Sequence, residues 1–250
     1  MRDAWRLWRR DWEVLTAVGG LFVFLPTLAI AMLLPEMPMP PEAGGATPSA
    51  AAMAAYQQNA AAWMLNYGGW QVGAQAIILF GQFAIVALYL AGDQPAVSKA
   101  LTAATRRYPL LVLAGLIVAV PIAAALLVTH ALPLLMAAFF VVVFWASART
   151  IVLPATLLAE APIGALRAIT RSLHLTRGNT LALAAAVMTV ILAMTIAIWP
   201  FEQVDAWMLV HAPNPIARAI IDAVVAGITA LGYTAMALIQ VAAYRRLRTR

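Results

Sequence analysis

Long apolar runs alternate with shorter polar stretches six times along the chain. The runs cover residues 12–34, 66–91, 109–129, 132–153, 179–199 and 216–244. A helix rising 1.5 Å per residue needs about 20 apolar residues to cross the hydrocarbon core of a bilayer. Apolar positions within each run are continuous, without the two-residue alternation of a membrane β-barrel. Backbone amides and carbonyls in lipid must be satisfied within their own segment, so continuous runs of this length predict helices. The predicted fold class is therefore all-α, a polytopic transmembrane bundle of six spans forming one membrane domain over 1–250. The third and fourth spans are separated only by His130 and Ala131, which predicts a tight helical hairpin.

The connections have their own patterns. The loop over 35–65 opens with the Pro- and Gly-rich PEMPMPPEAGGATPS, a flexible stretch. Ser49 then stands where a cap belongs, ahead of an Ala-rich helix that leads into the second span. Gly68 and Gly69 are the expected bend. The segment 200–215 is short and acidic, carries Trp207, and is expected to rest on the membrane surface. Pro26 and Pro121 lie inside the first and third spans and are expected to kink them.

Composition supports lipid as the solvent. The chain is 64% hydrophobic and 10% charged, where soluble domains carry about 25% charged residues. Its mean hydropathy is +0.88. The first run is longer than the roughly 7–15 apolar residues of a signal-peptide core, so it reads as a retained anchor. There is no cysteine, hence neither a disulfide framework nor a thiolate metal site.

The net charge of +6 alone would also suit nucleic acid, but its distribution points elsewhere. Arg2, Arg6, Arg9 and Arg10 precede the first span. Lys99, Arg106 and Arg107 follow the second. Arg149, Arg167, Arg171 and Arg177 follow the fourth, and Arg245, Arg246, Arg248 and Arg250 end the chain. Fifteen of the 16 basic residues thus fall on one side of a six-span arrangement, with Arg218 the exception. The positive-inside rule makes that side cytoplasmic and places both termini there.

Three stretches on the basic side are amphipathic. In 1–11, Trp5 and Trp8 recur at helical spacing, continued by Trp12, with arginines on the other faces. The stretches 95–107 and 162–177 are expected to be in-plane helices, each with a proline at its start. In the latter, Arg167, Arg171 and His174 form one basic face, beside Ile163, Leu166, Ile169 and Leu173. Gly178 stands where a left-handed C-terminal cap belongs. The candidates for contact with anionic lipid headgroups are Arg6, Arg9, Arg10, Arg167, Arg171 and Arg177. The simpler reading of the Trp/Arg terminus is a belt that anchors the first span. The two loops match weakly at an offset of 65 positions.

Residues 165–179 read ALRAITRSLHLTRGN. This resembles a stretch shared by the YciC-like bacterial inner-membrane proteins and the membrane domain of glycerophosphoryl diester phosphodiesterases. The resemblance extends loosely to the WRLWRRD start, to GQFAIVALYLAGDQPAVSKAL and to the six spans. Leu173 stands where tryptophan is usual and His174 where an acidic residue is common. The resemblance implies an inner-membrane protein of undefined role and transfers no catalytic residue. The phosphodiesterase domain fused to some relatives is not expected in these 250 residues.

No catalytic constellation is found. His130, His174 and His211 have no metal-ligand spacing, and neither a nucleophile elbow nor a phosphate-binding loop is present. No catalytic, metal or cofactor site is expected. Two sets of intramembrane polar residues remain. Arg218 and Asp222 are four residues apart and read most simply as a self-neutralising helical pair, with an ion-coupling carboxylate as the alternative. Gln71, Gln75 and Gln82 fall near one face of the second span, beside the Gly-x-x-x-Gly of Gly69 and Gly73. They are either packing contacts between helices or a polar lining for a solute path.

Two functional readings follow. One is a non-enzymatic membrane protein that binds or organises lipid, or scaffolds a partner. The other is a transporter or permease-like protein for a lipidic or small amphipathic solute, whose cavity Gln71, Gln75 and Gln82 would line. A phospholipid-acting enzyme ranks third, on family association alone. The expected partners are membrane lipids, anionic ones above all. Ala- and Gly-rich faces leave room for a homo-oligomer or a membrane-protein partner. Nucleic acid is not expected, because the arginines flank spans instead of tracking a groove.

Overall fold

The computed structural model describes residues 8–41, 49–90, 97–129, 133–211 and 214–249. Arg6, Trp5, the start of the 95–107 stretch and the hairpin turn at His130 and Ala131 lie outside the described residues. The described chain is helical throughout its ordered elements. We number the helices α1 (Trp12–Leu33), α2 (Ala50–Leu90), α3 (Val97–Thr129), α4 (Pro133–Thr150), α5 (Leu153–Ala159), α6 (Ala165–Leu175), α7 (Thr180–His211) and α8 (Pro215–Arg248). Six segments are long and apolar enough to cross a membrane: α1, α2, α3, α7, α8, and the stretch Ala138–Ala159 made of α4 and α5.

Helix α1 shows how a proline is absorbed inside a span. Pro26 has no N–H, and its ring would press on the carbonyl four residues earlier, that of Phe22. The turn before it, Gly20–Phe24, is widened to a π-helix, and the Leu25 N–H bonds to the Gly20 carbonyl five residues back. Regular helix then resumes over Leu25–Leu33. Pro26 is thus accommodated by a π-turn within a continuous helical segment.

Other expectations need correction. Ser49 does cap α2, its Oγ accepting the Ala52 N–H at 3.1 Å. The expected bend at Gly68 and Gly69 is absent, and α2 runs unbroken for 41 residues, about 60 Å at 1.5 Å per residue. The stretch 95–107 is not a separate in-plane helix. From Val97 it is the first part of α3, which passes through Pro109 and Pro121. Ala100, Ala104, Leu111 and Ala114 are all buried, so one packed face continues across Pro109. Tyr108 adds a tie, its hydroxyl donating to the Ala76 carbonyl at 2.5 Å and its ring meeting Phe80 edge-on. The expected surface segment 200–215 is instead mostly helix, because α7 continues through Pro200 to His211. At the start of α8, Asn214 Oδ1 accepts the N–H groups of Ile216 and Ala217, with Pro215 in the first turn.

The bundle is tightest at the basic end. Leu15, the run Phe83–Tyr89, Val152, Leu157, Leu238, Val241 and Tyr244 are fully or almost fully buried there. The connection after α4 is driven into this core. Leu153, Ala155, Thr156 and Leu157 of α5 are buried, and the Thr156 hydroxyl donates to the Leu153 carbonyl at 2.8 Å. Towards the far end the helices spread. Only 11% of the most apolar stretch of α3, and likewise of α7, is covered by protein. Lipid is the solvent that removes that exposed apolar area from water.

Where helices do touch, small residues set the spacing. A Cβ on Gly81 of α2 would stand 2.4 Å from Phe22 Cβ of α1. A Cβ on Gly232 of α8 would collide with the Met194 side chain of α7. Close backbone approach through small residues is the usual way membrane helices gain packing energy.

Candidate functional site: a basic rim and a far-end cleft

At the basic end, the polar groups first serve the helix termini. The last carbonyls of a helix have no partner within it. That of Arg149, at the end of α4, accepts the hydroxyls of Ser172 at 2.9 Å and Thr176 at 3.2 Å. That of Tyr89, at the end of α2, accepts from the Arg245 guanidinium. A cation at a helix C-terminus also opposes the negative end of the macrodipole. The Arg149 side chain lies over the Trp145 ring, 5.6 Å from its centroid.

Helix α6 is seated by its small face. Ala165, Ala168 and Ser172 are buried, followed by Thr176, whereas Leu166 is 66% exposed. Ile163, Ile169 and Leu173 are half-buried. The fully buried positions are therefore Ala and Ser, with Ile163, Ile169 and Leu175 packed beside them, and the outward face carries Leu166, Arg167, Thr170 and His174. The helix ends at Leu175, and Gly178 adopts φ +82°, as its place after the helix predicts.

The candidate arginines divide into two groups. Arg171 is a strut: its Nε lies 3.0 Å from each Glu160 carboxylate oxygen, and Glu160 also accepts the Tyr244 hydroxyl at 3.3 Å. This cluster ties α6 to the turn after α5 and to α8. Arg10 pairs with the adjacent Asp11 at 3.0 Å. Arg9, Arg167 and Arg177 are exposed and make no ion pair with a described residue. Arg6 lies outside the described residues. From the sequence, Glu160, Ser172 and Thr176 were not singled out, and Arg149 and Arg245 entered only as charges on the basic side. Glu160 alone carried a signal, as an isolated acid on the basic side.

At the far end, Arg218 and Asp222 interact through their charges as expected, but the close contacts of Arg218 go to other acids. Arg218 bonds to Glu36, just after α1, and lies 3.6 Å from Asp205 of α7. The continuation of α7 past Pro200 is what brings Asp205 to the start of α8. A small cavity of about 190 Å³ adjoins this cluster, lined by Asp205, Met208, Leu209, Asn214, Pro215 and Arg218.

The expected glutamine-lined cavity is also not what forms. Gln75 is exposed, and Gln71 and Gln82 are half-buried. A cleft of about 1080 Å³ does open beside α2, but on another face, lined by Gly69, Trp70, Gly73, Ala74 and Ile77 against residues of α1. Its walls are almost wholly apolar, and none of the three glutamines lines it. Among the described residues no cluster of three His, Asp or Glu stands in metal-binding proximity. The chain matches no family model, no curated protein and no solved structure.

Proposed function

We propose that the protein is a non-enzymatic, lipid-interacting protein of a bacterial inner membrane, with both termini in the cytoplasm and the basic rim against anionic headgroups. Kinship with the YciC-like membrane proteins belongs to the same proposal and adds no activity. The observation that carries the reading is the sorting of the arginines. Arg171 and Arg10 are occupied by Glu160 and Asp11, while Arg9, Arg167 and Arg177 project from the rim without an ion-pair partner among the described residues. Unpaired guanidinium groups beside apolar helix surface suit phosphate, which they bind through two parallel N–H donors. The permease-like reading is the weaker, because the cleft is built from glycine and hydrocarbon where a glutamine lining was its main support.

The test is lipid retention by the purified protein. An interfacial Lys or Arg contributes about 1 kcal/mol near an anionic surface. Reversing Arg167 and Arg177 to glutamate should then weaken phosphatidylglycerol binding by about tenfold or more. Native mass spectrometry reads the retained lipid directly. Unchanged retention in the folded double variant contradicts the proposal.

A further inference from the structure

The cleft between α1 and α2 has features that a loose gap between helices would lack. Its inner end is closed by the Phe22–Gly81 contact, where the two helices touch. Above that contact α1 carries the π-turn and Pro26, and the cleft lies between its Leu25–Leu34 side and α2. Its other end is closed as well. The Trp63 indole N–H donates to the Pro35 carbonyl at 2.9 Å, and Trp63 packs on Tyr67 with ring centroids 5.9 Å apart. Tryptophan and tyrosine favour the headgroup level of a bilayer, so this clasp marks the far interface. Contacts between the two segments thus bound the cleft on both sides along its length, at Phe22–Gly81 and at Pro35–Trp63.

Its dimensions select the occupant. On α2 it extends from Tyr67 to Ile77, about 15 Å along the helix, half of the roughly 30 Å hydrocarbon core. That wall matches the depth of one leaflet. On α1 it extends from Leu21 to Leu34, about 20 Å; a spanning helix of a second copy would lie along the full core, and the cleft stops short of that on both walls. The floor is open: a Cβ added to Gly69 or Gly73 meets nothing within 4 Å. Trp70, 73% exposed, and Leu33, 78% exposed, stand at the lips.

We propose that this cleft is a binding slot for a single acyl chain of a lipid in the leaflet away from the basic rim. The Gly69/Gly73 floor admits the chain, and the Trp63–Pro35 clasp sets the height of its headgroup. The inference is independent of the rim proposal, since it concerns the other leaflet and uses no arginine.

The experiment uses the full chain in vesicles of phosphatidylethanolamine and phosphatidylglycerol. They carry a trace of phosphatidylethanolamine with a mid-chain diazirine, and photolabelled positions are mapped by mass spectrometry. The slot positions on α1 and α2 should be labelled several-fold more than the bare faces of α3 and α7. Gly73→Leu should abolish that excess while labelling of α3 and α7 and the melting temperature stay unchanged. Gly69→Leu, on the same floor, provides a second variant should the first fail to fold. Equal labelling of slot and bare faces overturns the proposal. So does oxidation of a Trp70→Cys variant to a disulfide dimer with the slot unlabelled, which would place a second copy there. The chain contains no other cysteine to confuse that result.

Discussion

Gly81→Ala isolates the contact on which the α1–α2 arrangement depends. The added Cβ would lie 2.4 Å from Phe22 Cβ and 3.5 Å from the Phe22 backbone. Carbon atoms in contact prefer roughly 3.5 Å or more, so α1 would have to retreat by about 1 Å. Neither Cβ belongs to a flexible side-chain end, so rotamer change offers no escape. Overpacking of this kind costs about 1–3 kcal/mol. In a soluble helix the alanine would recover about 1 kcal/mol of propensity. A membrane helix stays formed when the bundle comes apart, so most of that gain cancels. The net expectation is a loss of about 1–3 kcal/mol. Gly73→Ala is the control, because its Cβ meets nothing within 4 Å; it should shift stability by less than about 0.5 kcal/mol. Reversible unfolding in mixed micelles, followed by tryptophan fluorescence, measures both. Phe22→Gly removes the clashing atom, so the Gly81→Ala penalty should shrink in that background, read as the coupling term of a double-mutant cycle. Equal effects of Gly81→Ala and Gly73→Ala would refute the reasoning.

Three further predictions follow from the basic and far ends. Glu160→Gln should destabilise by no more than about 1 kcal/mol in the same unfolding assay, since the pair with Arg171 is partly exposed, and the loss should diminish at high salt. Ser172→Ala and Thr176→Ala should each cost little, because the Arg149 carbonyl keeps the other hydroxyl. The double variant should exceed their sum, as removing both leaves a carbonyl unpaired at about 1–3 kcal/mol. Asn214→Ala removes the acceptor for two N–H groups at the start of α8 and should cost about 0.5–2 kcal/mol, with faster amide exchange confined to that first turn.

How much of this was legible from residues alone follows from which forces are local. The spans were legible because lipid leaves the backbone a single solution, an internally bonded helix, and a continuous apolar run announces it. The cap at Ser49 and the left-handed Gly178 were legible for the same reason, since each answers a need of its own turn. Most of the failures involve distant partners. Pro109 and Pro200 read as helix boundaries, yet α3 and α7 run through them. For Pro109 the buried Ala104–Leu111 face outweighs one missing hydrogen bond. Arg218 read as the partner of Asp222 because both lie on one helix; only the fold brings Glu36 and Asp205 to it. In α6 the large apolar residues drew notice, and Ile169 does pack on the core, but the fully buried positions are Ala165, Ala168 and Ser172. The Glu160–Arg171–Tyr244 cluster joins residues from three separate segments, and no spacing rule connects them.

The account depends on all four basic segments lying on one face of the membrane, the cytoplasmic one. Single cysteines in the naturally cysteine-free chain test this against a membrane-impermeant maleimide applied to intact spheroplasts. Met39→Cys, between α1 and α2, should be labelled, and Ser98→Cys and Thr249→Cys should react only after lysis. Labelling of Thr249→Cys in intact spheroplasts, or protection of Met39→Cys, would contradict the arrangement.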